Sequence, residues 1–251
     1  MAKSNQQRET VDEAVQLRSV QRDPTCIASI RDPILAAQIA AIQHSAWLLE
    51  HIPNATEQVQ LLAVSKRGDV IRFIDNPSEN VQMVAVSNHG DAIRYIRNPS
   101  EEVQLAAIKE NYEVIEDIAN PTERVQMAAV QTAGYAIQFI RNPTEAVQLA
   151  AVRDISSAIH YIIEPSDTVQ LAALLEDASS IKYIRNPGFA AQLASTGQWA
   201  WALSYIPDPP EDMQIKIFEK DPESFHMIKN PCITVQRMYR QHQLQLRNSK
   251  N

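Results

Sequence analysis

The apolar positions of this chain recur with a fixed period of 22 residues. The segment Asn-Pro-Ser-Glu-Asn-Val-Gln at 76–82 returns as Asn-Pro-Ser-Glu-Glu-Val-Gln at 98–104 and as Asn-Pro-Thr-Glu-Arg-Val-Gln at 120–126. Gln16, Gln38, Gln60, Gln82, Gln104, Gln126, Gln148, Gln170, Gln192, Gln214 and Gln236 form an uninterrupted series, so nearly the whole chain is one tandem array. After each Asn-Pro comes a run such as Val81-Gln82-Met83-Val84-Ala85-Val86, apolar almost all round. A helix tolerates that only when it is buried between neighbours. The spacing predicts a helix that starts with Asn as N-cap, Pro at N1, Ser or Thr at N2, and Glu at N3 bonding back to the cap. Gly68, Gly90 and Gly134 fall eight residues after the Gln, and Pro24 and Pro222 take the same slot, so the first helix ends there and a second begins. Ala92-Ile93-Arg94-Tyr95-Ile96 shows the second helix to be short, about two turns, with apolar residues three and four apart.

Two columns define a predicted core. Isoleucine recurs at Ile30, Ile52, Ile74, Ile96, Ile118, Ile140, Ile162, Ile184, Ile206 and Ile228, and a small residue stands three positions after the Gln from Ser19 to Ser195. Small residues let neighbouring long helices stack closely, about 8–10 Å apart. The expected fold is therefore all-α, a right-handed α-solenoid of about eleven two-helix repeats spanning 11–240, with a polar arm at 1–10 and a polar tail at 241–251. Leu17-Arg18 and Arg237-Met238 place charge where inner repeats have Leu or Ala, so both ends are expected to be caps of a complete solenoid.

With Asn-Pro-[Ser/Thr]-Glu-x-Val-Gln-[Leu/Met]-Ala-Ala-Val followed by Gly-x-Ala-Ile-x-[Tyr/Phe]-Ile, the chain resembles a helical repeat family of unknown function found in protists, algae, bacteria and large viruses or phages. It is also similar to leucine-rich-variant and HEAT-like repeats in pairing a long with a short helix. The resemblance implies an interaction scaffold and supplies no catalytic residues. Given the phage members, one concrete form is an inhibitor that binds a host defence protein.

Composition changes this picture little. Hydrophobic residues make up 45% and charged residues 21%, values that support a packed core. The polar start and the lack of a long apolar run predict neither a signal peptide nor a membrane span, hence a cytoplasmic protein. Cys26 and Cys232 sit at unrelated repeat positions, which argues against a disulfide framework or a zinc site. The six histidines show no metal-ligand spacing, and neither a catalytic motif nor a phosphate loop occurs. No enzyme activity, cofactor, metal or small-molecule substrate is expected. A net charge of −7 opposes bulk attraction to nucleic acid or anionic lipid.

Residues required in every repeat belong to the fold. The Gln series is assigned to satisfying backbone groups at the Pro turn, and the Glu row from Glu57 to Glu145 to favourable helix N-termini. Recognition is expected where repeats differ. Phe73, Tyr95, Phe139, Tyr161, Tyr183 and Tyr205 form an aromatic column: neighbouring rings packed together, or an exposed stacking platform. Arg97, Arg141, Arg185 and Lys229 fall on alternate repeats, a spacing suited to phosphates or carboxylates. In the Gln104 repeat, Glu101, Glu102, Glu110, Glu113, Glu116 and Asp117 face the single base Lys109, next to a basic stretch of Lys66, Arg67, Arg72, Arg94 and Arg97. That acidic face suits a partner with a basic surface, and Glu113 and Asp117 are expected to repel one another. Trp47 near one end, beside His44 and His51, and Trp199 and Trp201 near the other are candidate anchors. Two functions follow as expectations: a protein-binding scaffold or inhibitor, and, as the alternative, a nucleic-acid-binding solenoid that uses the alternating cations and the Tyr column.

Overall fold

The computed structural model describes residues 2–188, 206 and 208–248, and among these the regular structure is entirely helical. The chain divides into two compact units, Met1–Ala129 and Val130–Asn251. In the first, long helices Ala2–Arg22, Leu35–His44, Glu57–Lys66, Glu79–Asn88 and Glu101–Glu110 alternate with short helices Pro24–Ser29, Ala46–His51, Gly68–Phe73, Gly90–Tyr95 and Tyr112–Asp117. The second holds the long helices Glu145–Asp154, Asp167–Glu176, Glu211–Lys220 and Ile233–Asn248 and the short helices Gly134–Phe139, Ser156–Tyr161, Ala178–Tyr183 and Pro222–Met227. Within each unit, successive long helices pack on one another and successive short helices form a second layer. This is the architecture of an α-solenoid of two-helix repeats. The segments expected to be an arm and a tail are largely helical, as extensions of the first and last long helices.

The long helices start two residues later than the Asn-Pro signal predicts. Ser78, with φ −61° and ψ 157°, is the N-cap, and its hydroxyl accepts from the Val81 N–H at 3.4 Å. Ser100, Thr144 and Ser166 cap in the same way. The cause lies in the Gln side chain. Its Nε2 donates to the carbonyl five residues upstream, which is Pro77 for Gln82 at 2.9 Å, and this contact recurs at Gln38, Gln60, Gln104, Gln126, Gln148, Gln170, Gln214 and Gln236 at 2.7–3.0 Å. With the Pro carbonyl engaged, the first backbone helical bond runs from Gln82 N–H to Ser78. The Gln Oε1 can also reach the following repeat: that of Gln16 accepts from Ile34 N–H at 3.0 Å, that of Gln170 from Gly188 at 2.9 Å and that of Gln214 from Cys232 at 2.8 Å. At Gln38, Gln104 and Gln126 only the Nε2 bond is made. The Gln series thus ties turn to helix, and in places repeat to repeat.

Two local predictions are corrected by the same geometry. Each Glu sits at N1, and the carboxylates of Glu57, Glu79, Glu101 and Glu145 accept from the Ser or Thr cap of the next repeat, as in Ser78 to Glu57 and Ser100 to Glu79, both at 2.5 Å. No capping box closes within a repeat among the described residues. Gly68, Gly90 and Gly134, for their part, are not left-handed caps, since no glycine among the described residues has positive φ. A Cβ on Gly68 would stand 2.3 Å from the Ala85 carbonyl oxygen, and one on Gly134 2.6 Å from that of Ala151. Glycine is there because the next long helix comes too close for a side chain.

The short helices are six-residue 3₁₀ helices with i to i−3 bonds, as in Ile96 N–H to Ile93. Side chains three apart eclipse in this helix. Ile93 and Ile96, or Ile115 and Ile118, therefore point together into the core, the earlier member of the pair deeper. Ala41, Ala63, Ala85, Ala107, Ala151 and Ala173 are fully buried, as the small-residue column requires for close stacking.

Candidate interaction site

The same eclipsing that buries one edge of each short helix lines up residues on its outer edge. Asp69 and Arg72 are three apart and lie at 3.5 Å; Asp91 and Arg94 repeat the arrangement at 3.2 Å. Arg67 adds a second cation to Asp69 at 3.0 Å. The hydrogen bond from Arg67, assisted by the charges of Arg67 and Arg72, holds the Asp69 carboxyl below its usual range despite the opposing effect of burial.

Contacts between repeats follow two fixed steps. A residue twelve positions after the Gln reaches the residue 23 further along, on the next short helix: Arg72 Cζ lies 4.2 Å from the Tyr95 ring centre, Arg94 Nε lies 2.7 Å from Asp117, and His160 stands 5.6 Å edge-on to Tyr183. A residue nine positions after the Gln reaches the ring 26 further along. Trp47 meets Phe73 at 5.7 Å and Tyr135 meets Tyr161 at 6.1 Å, both edge to face. Successive members of the aromatic column therefore do not simply pack ring on ring. Cationic or aromatic side chains from neighbouring positions stand between or beside them.

In the first unit these steps build a continuous strip. Arg72 spans Trp47 at 5.4 Å and Tyr95 at 4.2 Å, and Arg67 also covers Trp47 at 5.0 Å. Trp47 and Tyr95 remain 39% and 43% exposed. Beyond Tyr95, Arg94 carries the strip on to Asp117. Cation–aromatic contacts of this kind contribute about 0.5–1 kcal/mol each at exposed sites. They hold the rings in place while leaving them accessible.

The acidic group is reshaped by its neighbours. Asp117 pairs with Arg94, and Arg124 binds Glu101 at 2.9 Å and Glu102 at 2.8 Å, so three of the six carboxylates have cations that the local sequence window excluded. The like-charge pair expected at Glu113 and Asp117 shifts to Glu113 and Glu116, because these are the residues that eclipse in a 3₁₀ helix. Glu110, Glu113 and Glu116 are exposed, with no ion pair among the described residues.

In the second unit, Tyr161 is 42% exposed, and Tyr183 is half-buried beneath Lys182, whose Nζ stands 4.8 Å from its ring. Arg97, Arg141 and Arg185 are exposed and form no ion pair among the described residues. Trp199, Trp201 and Tyr205 lie outside the described residues. The strip of arginines over rings was not legible in the sequence as a unit. Its signal was present as Arg72 beside Phe73 and Arg94 beside Tyr95, but the 23-residue step depends on the relative placement of successive short helices.

None of the helices among the described residues is long and apolar enough to cross a membrane, and no group of three or more His, Cys, Asp or Glu lies together as a metal site among them. Compared with known protein families, curated proteins and solved structures, the chain has no match. Fold and surface together define its class: an α-solenoid whose short-helix layer presents aromatic and charged side chains at repeat spacing.

Proposed function

We propose that the protein is a non-enzymatic protein-binding scaffold that engages its partner through the short-helix surface of the first unit. The observation that carries this reading is the strip Trp47, Arg72 and Tyr95, with rings about two-fifths exposed and held by arginines from neighbouring helices. Trp, Tyr and Arg are the residues that dominate binding energy at protein interfaces. Their fixed positions lower the ordering cost of association. Glu110, Glu113 and Glu116 extend the surface with unpaired negative charge, which favours a partner carrying a basic patch beside an apolar one. An inhibitor of a host protein is one form such a scaffold takes, and a cytoplasmic setting accords with this reading.

The test is affinity capture from lysate of the source organism, with the native chain and Trp47→Ala/Tyr95→Ala in parallel. A protein enriched by the native chain and reduced at least tenfold with the variant is the expected result. Enrichment that is the same for both chains, or that disappears on nuclease treatment, overturns the reading.

A further inference from the structure

The turns that join each short helix to the next long helix leave a groove between repeats, and the same groove is found at equivalent positions in both units. In the first it is lined by Leu49, Ile52, Phe73, Ile74 and Asp75 and encloses about 130 Å³. Its counterpart five repeats along is lined by Ile159, Ile162, Tyr183, Ile184 and Arg185 and encloses about 730 Å³. The larger volume lies within the range of pockets that hold ligands, and its wall is mixed, isoleucines and Tyr183 beside His160, Glu164, Gln170, Lys182, Arg185 and Asn186.

Three differences separate the two grooves. The charge differs: Arg185 stands where Asp75 does, and His160 and Lys182 also line the wall, together with the carboxylate of Glu164. The turn is distorted: Glu164, in the slot of Asn54, has φ 53°, the one positive φ at a non-glycine among the described residues. A left-handed conformation is disfavoured for an L-residue, and a residue before proline ordinarily occupies the extended region. Finally, Ile163 lines this groove and is 89% exposed, whereas most repeats have a polar or charged residue there. Gln170, also in the wall, uses both amide atoms on Pro165 and Gly188, so it holds the groove's shape and is not available to a ligand. Lys182 and Arg185 have no ion pair among the described residues.

We propose that this groove is a second docking site and takes a short acidic–apolar segment of a partner protein, one carboxylate side chain meeting Lys182 and Arg185 while an adjacent Leu, Ile or Phe packs on Ile163 and the isoleucine wall. The proposal rests on the protein-binding reading only for the class of occupant, since the site is in the other unit and shares no residue with the Trp47 strip. A carboxylate is favoured over a phosphodiester chain by the form of the site. Its cations converge on a single concavity with an apolar floor, whereas backbone phosphates require a line of cations along a groove.

The test is selection of a random dodecapeptide library on the purified full chain, followed by fluorescence titration of the selected peptides. Enrichment of Asp or Glu next to Leu, Ile or Phe is expected, with affinity falling at least tenfold in Lys182→Glu/Arg185→Glu and about threefold or more in Ile163→Ser. All three side chains are exposed, and unchanged helical circular dichroism would verify that the variants fold. Trp47→Ala/Tyr95→Ala should keep the peptide affinity, which distinguishes failure of this site from failure of the first. Enrichment of basic peptides, no enrichment, affinity indifferent to the charge reversal, or binding of a labelled oligothymidylate that depends on Lys182 and Arg185 would each overturn the proposal.

Discussion

Arg94 places its Nε 2.7 Å from a carboxylate oxygen of Asp117, and in doing so repeats, one repeat along, the step by which Arg72 covers Tyr95. The ion pair and the cation–aromatic contact are two chemical versions of one contact between repeats. Asp117, which looks like a break in the aromatic column, therefore keeps the column's neighbour satisfied.

This equivalence predicts how position 117 tolerates change. Asp117→Tyr should restore the aromatic version and leave unfolding free energy within about 0.5 kcal/mol of the parent, while Asp117→Lys should destabilise by up to about 1 kcal/mol, the range for exposed pairs. Urea titration of both variants, alone and with Arg94→Ala, measures the coupling. Equal loss for Tyr and Lys would show that the step carries no energy.

Gln170 makes both of its amide bonds, to Pro165 and from Gly188, whereas Gln104 makes only the first. Removing them by Gln170→Leu should cost about 1–3 kcal/mol through unpaired buried groups, and Gln104→Leu should cost less. Denaturant midpoints report the order. A Gln104 variant as unstable as the Gln170 one would mean that the bond to the following repeat contributes nothing.

Gly68→Ala should destabilise by about 1–3 kcal/mol, the usual cost of overpacking, because the new methyl would meet the Ala85 carbonyl. Gly90→Ala has more room, 3.0 Å from the Ala107 carbonyl, and should be milder. Thermal melting of the two single variants tests the ranking.

Asp69, held by Arg67, and Asp177, held chiefly by the Ser179 hydroxyl and backbone N–H, both have carboxyl groups shifted below the usual range. Each remains ionised in the folded protein at a pH where the unfolded chain takes up the proton. Their stabilisation is therefore present above the ordinary aspartate value near pH 3.9 and is lost as pH falls through the lower, folded-state value. Melting temperature should drop on acidification below about pH 4, and Asp69→Asn should make that drop shallower. A slope identical to the parent's would show that Asp69 does not contribute.

What the sequence determined by itself was the repeat and its interior. A strict period of 22 with recurring Gln, Ile and small-residue columns leaves a chain of buried helices little freedom except to stack, and Gln was recognisable as a fold residue because every repeat keeps it. The sequence also held every residue of the strip, but not their pairing. Local signals such as Asn-Pro-Ser-Glu or a glycine after a helix describe one repeat, and each was misassigned where a neighbouring repeat took part: Glu57 bonds Ser78 of the next repeat, and Gly68 yields space to Ala85. Only the tertiary structure, by fixing the step from one short helix to the next and tightening those helices to 3₁₀, decided that Arg72 meets Tyr95, that Arg94 and Arg124 answer the acidic repeat, and that the groove beside Arg185 opens while its counterpart beside Asp75 stays small. Contacts of 20 to 26 residues along the chain depend on the rise and rotation between repeats, and those quantities arise from packing and are not carried by any local run of residues.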